Sequence, residues 1–214
     1  MKVNFLIFLG LVFLSGTVLA QSASPIYENN FQKADTNTVP DDLMVLDGDF
    51  SVRQDGTNKF LELPGEPLDS FKALFGPALE PGASVTACFY GTAKGRRAPS
   101  FGLGLNGVNG YRLMVSAGKG TLEILKGDES VASIPFKWQS AAWTFMRLQI
   151  VPAKDQWHVL GKAWPESGSE PSEWMIAFDA TTKPPTGKAS LWGSPFSGTP
   201  IRFDDLRIVT ATGK

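Results

Sequence analysis

Two aspartates, Asp204 and Asp205, stand side by side in "IRFDDLRIV" and interrupt an alternation of apolar and polar residues. Catalysis, metal ligation and the internal joinery of a strand are the three uses such a pair suits. Glycoside hydrolysis needs two carboxylates about 5 to 5.5 Å or about 6.5 to 9.5 Å apart across the scissile bond. The nearest further pairings in sequence are Asp47 with Asp49 and Glu170 with Glu173. The first flanks Gly48 and the second sits in a proline-bounded loop between Trp164 and Trp174, so both read as solvated turn positions. His158 is the only histidine; a Ser-His-Asp scheme has to run through it, yet no G-x-S-x-G elbow accompanies it, and a hydrogen-bonding or structural role is the plainer reading. One histidine and one cysteine, Cys88, cannot furnish the nitrogen and sulfur set of a zinc site. Calcium, which takes carboxylates and carbonyls, stays open at Asp205.

Two further stretches have plain readings. "GLGLNGVNG" has glycines at the spacing of a nucleotide loop, but that loop works only between a strand and a helix, and no helical pattern follows. Lys94, Arg96 and Arg97 in "TAKGRRAPSFG" form either a solvated tip or a rim that grips anionic or hydroxyl-rich ligands.

The elements that position these residues are strands. Short apolar alternations recur between Gly, Pro, Asn and Asp signals, which is the pattern of a sandwich or barrel. The expected strands cover residues 43–53, 59–63, 84–90, 100–106, 111–116, 121–126, 131–136, 143–151, 157–164, 173–179, 188–192 and 201–210. A strand in a sandwich turns one face to the core and the other outward. One phase therefore supplies the core: Val85, Ala87 and Phe89, then Phe101, Leu103 and Leu105, then Tyr111, Leu113 and Val115. The same phase continues with Met146, Leu148 and Ile150, then Trp157, Val159 and Ala163, then Trp174, Ile176 and Phe178. The opposite phase carries Tyr90, Arg112, Glu123, Phe145, Arg147, Gln149, His158, Lys162 and Trp192. Gly102 and Gly104 share that phase, where a missing side chain lets a backbone or ligand approach. Tyr90 and Trp192 are the expected platforms for a sugar ring, and Arg112, Arg147, Gln149 and His158 the expected hydrogen-bonding partners.

Composition narrows the field. The formal net charge is −1 with Lys and Arg scattered along the chain, which removes the basic face that nucleic-acid binding rests on. Residues 1–20 read as a cleaved signal peptide: Lys2, an apolar stretch from Phe5 to Leu14, then small residues at Val18 and Ala20. That apolar stretch is about half the length a membrane span requires, so no span is expected after cleavage. The expectation is an exported protein, periplasmic or extracellular, with one domain over residues 25–214. Cys88 has no partner for an internal disulfide and reads as a buried, inert thiol.

The segments "WTFMRLQIV", "WHVLGKAWPESGSEPSEW", "GKASLWGSPFSGTPIRFDDLRIV" and the opening "IYENNFQKADTNTVPDDLMVLDGDFSV" resemble concanavalin A-like (laminin G-like) jelly rolls of exported bacterial proteins. The layout is similar to the 3-keto-disaccharide hydrolase domain. The resemblance implies an all-β fold, a two-sheet antiparallel jelly-roll sandwich, with sugars on the concave sheet or its rim loops. The E-x-D-x-x-E strand motif of retaining glycosidases with this architecture is absent. The expected function is a non-catalytic carbohydrate-binding or surface interaction module that engages a carbohydrate or cell-surface glycan. The alternatives are a glycoside-active hydrolase of the 3-keto-disaccharide type, using groove carboxylates such as Glu123 with His158, or a structural envelope protein. No cofactor is expected beyond the open calcium option. Within that fold, Asp204 and Asp205 are expected to form a β-bulge in a closing strand that pairs with an N-terminal strand near Tyr27 to Phe31.

Overall fold

The computed structural model describes residues 24–211; the expected signal peptide lies outside them. The described residues form fifteen strands: β1 (Pro25–Asn29), β2 (Leu43–Asp47), β3 (Ser51–Asp55), β4 (Asn58–Leu63), β5 (Phe71–Leu79), β6 (Ala83–Tyr90), β7 (Ser100–Leu105), β8 (Tyr111–Ser116), β9 (Thr121–Lys126), β10 (Glu129–Pro135), β11 (Thr144–Ala153), β12 (Gln156–Pro165), β13 (Ile176–Ala180), β14 (Gly187–Ser194) and β15 (Ile201–Thr210). No helix among them is long and apolar enough to cross a membrane.

The strands make two antiparallel sheets. The first runs β13-β12-β11-β6-β15-β4-β3, with β1 also paired to β15; the second runs β10-β9-β8-β7-β14-β5-β2. This is the all-β jelly-roll sandwich expected from the sequence. The alternation sorted the interior well, because a period of two puts every second side chain between the sheets. Val85, Phe89, Phe101, Leu103, Leu113, Met146, Leu148 and Val159 all sit in one buried cluster. Trp157 and Phe178 pack against its edge. Trp174 departs from the expected set: it lies in the loop before β13, half-buried beneath Lys162.

Two strand expectations need correction. Residues 43–53 are not one strand but two, β2 in the second sheet and β3 in the first. The chain changes sheets at Gly48, whose φ of 99° is open to glycine and strained for other residues. Strand β5, "FKALFGPAL", was not anticipated because Gly76-Pro77 reads as a turn; it pairs with both β14 and β2, and Gly76 takes a φ of 66° there.

Strand β15 closes the first sheet as expected. One edge pairs with β6, and the other is shared by β4 at residues 201–203 and β1 at residues 206–209. Between those stretches the register slips: Asp204 faces Cys88 and Arg207 faces Thr86, so two residues stand where the partner has one. That is the expected β-bulge, and it lets Ile201 and Phe203 on one side and Leu206 and Ile208 on the other all reach the core. Asp204 is its fastener. One carboxylate oxygen accepts the Asp205 backbone N–H at 2.8 Å, the other the Asn58 amide at 3.0 Å. No arginine takes part in these bonds.

Candidate functional site

The outer face of the first sheet carries the site. Because Met146, Leu148 and Ile150 point inward, Phe145, Arg147 and Gln149 of β11 point out. The β12 ladder sets Trp164 opposite Phe145 and Lys162 opposite Arg147. The Phe145 and Trp164 rings stack with centroids 5.6 Å apart and planes 16° from parallel. On its other side Arg147 faces Thr86 of β6 and donates from Nε to Oγ1 at 3.0 Å. Arg147 and Lys162 are like charges in directly opposite positions, an arrangement that is destabilising unless a counter-charge intervenes. Glu170 supplies it: its Oε1 lies 2.7 Å from Arg147 Nη1 and 2.7 Å from Lys162 Nζ. Lys162 also donates to the Pro171 carbonyl at 2.7 Å and sits over the Trp174 ring at 4.6 Å. The loop between β12 and β13 is thus strapped over the sheet, and Glu170 is an ion-pair hub where a solvated hairpin tip was expected.

The opposite wall is the segment from β1 to β2. Asp42 holds it to β1 by accepting from the Tyr27 hydroxyl at 2.5 Å and the Asn29 amide at 3.0 Å. Burial, reinforced by that carboxylate, pushes the Tyr27 phenol above its ordinary range. Farther along, Lys59 donates to the Ala34 carbonyl and Gln32 to the Asn58 side chain, both at 2.7 Å. Arg207 pairs with Glu28 at 2.8 Å across the β15 and β1 ladder. Between the walls lies a cleft of about 1200 Å³, floored by Thr86, Phe145, Arg147 and Trp164 and reached by Glu170 and Asp205. Its volume is in the range of sites that hold organic ligands.

Asp205 enters the cleft through the bulge. Its φ of 49° lies in the left-handed region that side chains other than Asn and Asp seldom adopt. Desolvation raises its carboxyl above the usual range, and that of the more buried Asp204 to about 6. Cys88, facing Asp204 across the ladder, is 2% exposed; burial and then the nearby acids Glu166, Asp205 and Asp204 push its thiol far up. An inert thiol is what the sequence implied. No group of three or more His, Cys, Asp or Glu side chains fit to hold a metal ion occurs among the described residues, Asp205 included.

The six residues expected on one ligand-binding face divide between two. Tyr90, Arg147, Gln149 and His158 lie on the outer face of the first sheet, and only Arg147 lines the cleft. Gln149 is the next outward position of β11, and His158 stands opposite Val151 at the far end of β12. There its Nδ1 is 2.6 Å from Asp179 on β13. Tyr90 lies toward the opposite end, packed on Trp143 at 5.4 Å and on the Arg202 guanidinium at 5.3 Å.

Arg112 and Trp192 belong to β8 and β14 and point out of the second sheet, on the far side of the molecule. The Arg112 guanidinium covers the Trp192 ring at 4.0 Å, so this ring is not a free platform. The room left by Gly102 and Gly104 is taken by Met114 Sδ, Ser190 Oγ and the Arg112 stem. Glu123 also points out of the second sheet, hydrogen-bonded by Ser116 at 2.7 Å, which puts the whole sandwich between it and His158. The two cannot share a reaction centre. Lys94 and Arg97 pair through their backbones at an exposed loop tip, away from the cleft.

No protein-family profile matches the sequence, and no curated protein does. Solved structures do match. The chain is similar to the carbohydrate recognition domain of Emp47p, with TM-score 0.58 and 12% identity over 90% of this chain and 98% of that one. It is similar to the carbohydrate-binding module CBM66 from Bacillus subtilis, with TM-score 0.56 and 10% identity over 79% and 96%. Lectin II from Ulex europaeus matches with TM-score 0.51 and 14% identity over 88% and 100%. The fold is therefore the concanavalin A-like jelly roll.

Proposed function

We propose that residues 25–214 form an exported, non-catalytic carbohydrate-binding module whose ligand occupies the cleft on the outer face of the first sheet. The observation that carries this reading is the pairing, on one cleft floor, of the half-buried Phe145 ring, backed by the buried Trp164, with the fixed Arg147 side chain. A pyranose offers an apolar face to an aromatic ring and a rim of hydroxyls to planar polar groups, and burying both is favourable only when each polar atom finds a partner. Arg147 is preorganised for that work, since Thr86 and Glu170 hold it before any ligand arrives. The likeness to sugar-binding domains supports the reading at the level of the fold, and the apolar N-terminal stretch supports export.

A glycan array followed by titration calorimetry tests it. The full chain is expected to bind at least one polysaccharide, and Phe145→Ala and Arg147→Ala are each expected to weaken that binding about tenfold or more. A blank array, or affinity unchanged in both variants, rejects the reading. A glycoside-active hydrolase is the second reading, favoured by the Asp205 carboxyl at the cleft, raised by desolvation as a proton donor's would be. Release of new reducing ends from a bound oligosaccharide, lost in Asp205→Asn, would replace the first reading with the second.

A further inference from the structure

The charges of the cleft do not cancel. Of its cations, Arg207 is matched by Glu28, while Arg147 shares Glu170 with Lys162, so that group of three keeps one positive charge. What remains along the lining is Asp35, Asp41 and Asp205, none in an ion pair among the described residues, against the single unpaired cation Lys33. Asp205 differs from the other two. It belongs to the sheet, not to the wall, and the bulge that aims it holds a non-glycine residue at positive φ. Bulges characteristically re-aim one side chain, and a conformation of this kind persists only where its surroundings enforce it. Here the enforcing bond is the one from the Asp205 backbone N–H to Asp204. The Asp205 carboxylate itself accepts no hydrogen bond from the described residues, and the neighbouring Arg207 is turned to Glu28. A polar group is thus presented beside the Phe145 and Trp164 stack with its bonding capacity unspent.

We propose that the cleft is selective for glycans bearing free amines, of the glucosamine type, with Asp205 as the group that receives the ammonium. The proposal rests on the carbohydrate-binding reading and names its ligand class. An ammonium donates three hydrogen bonds and a positive charge to an acceptor that offers only lone pairs. A uronate brings a carboxylate toward unpaired carboxylates instead, and a like-charge approach of this kind is how a site rejects a near-relative of its ligand. Lys33 on the wall and the one positive charge that Arg147 and Lys162 keep over Glu170 favour the acidic glycan, and the carboxylates of Asp35, Asp41 and Asp205 outnumber them.

Three oligosaccharides of equal length test this by calorimetry on the full chain: a chitosan oligomer, its fully N-acetylated counterpart and an oligogalacturonate. The expected order is chitosan tightest, by about tenfold over the acetylated form at low salt, with the ratio shrinking as salt is raised and the uronate weakest. Asp205→Asn is expected to bring the chitosan ratio to about one, through loss of chitosan affinity. Asp205→Gly, which accepts the positive φ without strain, repeats the test should the asparagine variant fold poorly. A uronate that binds as tightly as chitosan, or a ratio unchanged in both variants, overturns the selectivity and leaves carbohydrate binding intact. If none of the three binds and the glycan array is blank, both readings fall.

Discussion

Asp204 is 7% exposed, yet it is a carboxylic acid whose two oxygens only accept hydrogen bonds in the folded chain, from the Asp205 backbone and from Asn58. Desolvation outweighs those two bonds, and the acids Asp205 and Glu166 add to it, so the carboxyl titrates at about 6 where 3.8 is ordinary. A shift of that size is worth about 3 kcal/mol. Its sign follows from linkage. The folded chain holds the Asp204 proton more tightly than the unfolded chain does, so folding is favoured below the unfolded value. The advantage is lost as pH rises through about 6. Asp204→Asn removes the titration. One amide atom can still accept the Asp205 N–H, but the other then presents a donor to the Asn58 donor. If Asn58 flips, its oxygen is lost to Gln32, which donates to it at 2.7 Å. That conflict costs about 1 kcal/mol at every pH. The measurement is guanidinium unfolding of both proteins at pH 4, 6 and 8, with the wild-type minus variant difference plotted so that all other titrations cancel. Wild type is expected to be the more stable by about 0.5 kcal/mol at pH 4, where the unfolded carboxyl is already partly ionised, and the less stable by about 2 kcal/mol at pH 8. A difference that does not move with pH, or that moves in the wild type's favour as pH rises, refutes the reasoning about burial at the bulge.

The division of the outward-facing residues between two faces leads to further expectations. Trp192→Ala removes a ring packed under Arg112 and hydrogen-bonded to Ser190 at 2.9 Å. It should cost about 3 to 5 kcal/mol in chemical denaturation and leave glycan affinity within about twofold of wild type; affinity falling in step with stability would return the site to the second sheet. Gly102→Ala would place a Cβ 2.1 Å from the Leu113 carbonyl oxygen, whereas nothing lies within 4 Å of a Cβ at Gly118. The first should lower stability by about 3 kcal/mol and the second by no more than about 0.5 kcal/mol. Equal melting temperatures for the two would show that β7 has room the structure denies it.

The bulge and the cleft differ in how far the chain alone reveals them. At "IRFDDLRIV" the information is local: apolar residues at 201 and 203 and again at 206 and 208 cannot share a face in a regular strand, so an extra residue has to be absorbed between them. The structure puts it there. Alternation also tells inward from outward on any one strand, which is why the core set held on the strands and failed at Trp174, which lies in a loop. It does not tell which sheet a strand joins. Outward means opposite directions in the two layers, and for that reason Arg112 and Trp192, outward on β8 and β14, were grouped with Arg147, outward on β11.

Glu170 shows a signal that was present but needed a pairing to become visible. Arg147 and Lys162 each looked like a lone polar residue on an outward phase. Once β11 and β12 are aligned as a hairpin, which the short turn at Lys154 and Asp155 fixes, the two cations fall directly opposite each other. Two like charges so placed repel, and neither neighbouring outward pair, Phe145 with Trp164 or Gln149 with Leu160, contains an acid to relieve them. The counter-charge has to come from outside the ladder, and the nearest acidic segment long enough to fold back is the loop after β12, with Glu166, Glu170 and Glu173. Of these, Glu170 makes the contact with both cations. In fixing Arg147 against Thr86 and Glu170, the loop turns a repulsive pair on a bare sheet into the preorganised floor of a cleft.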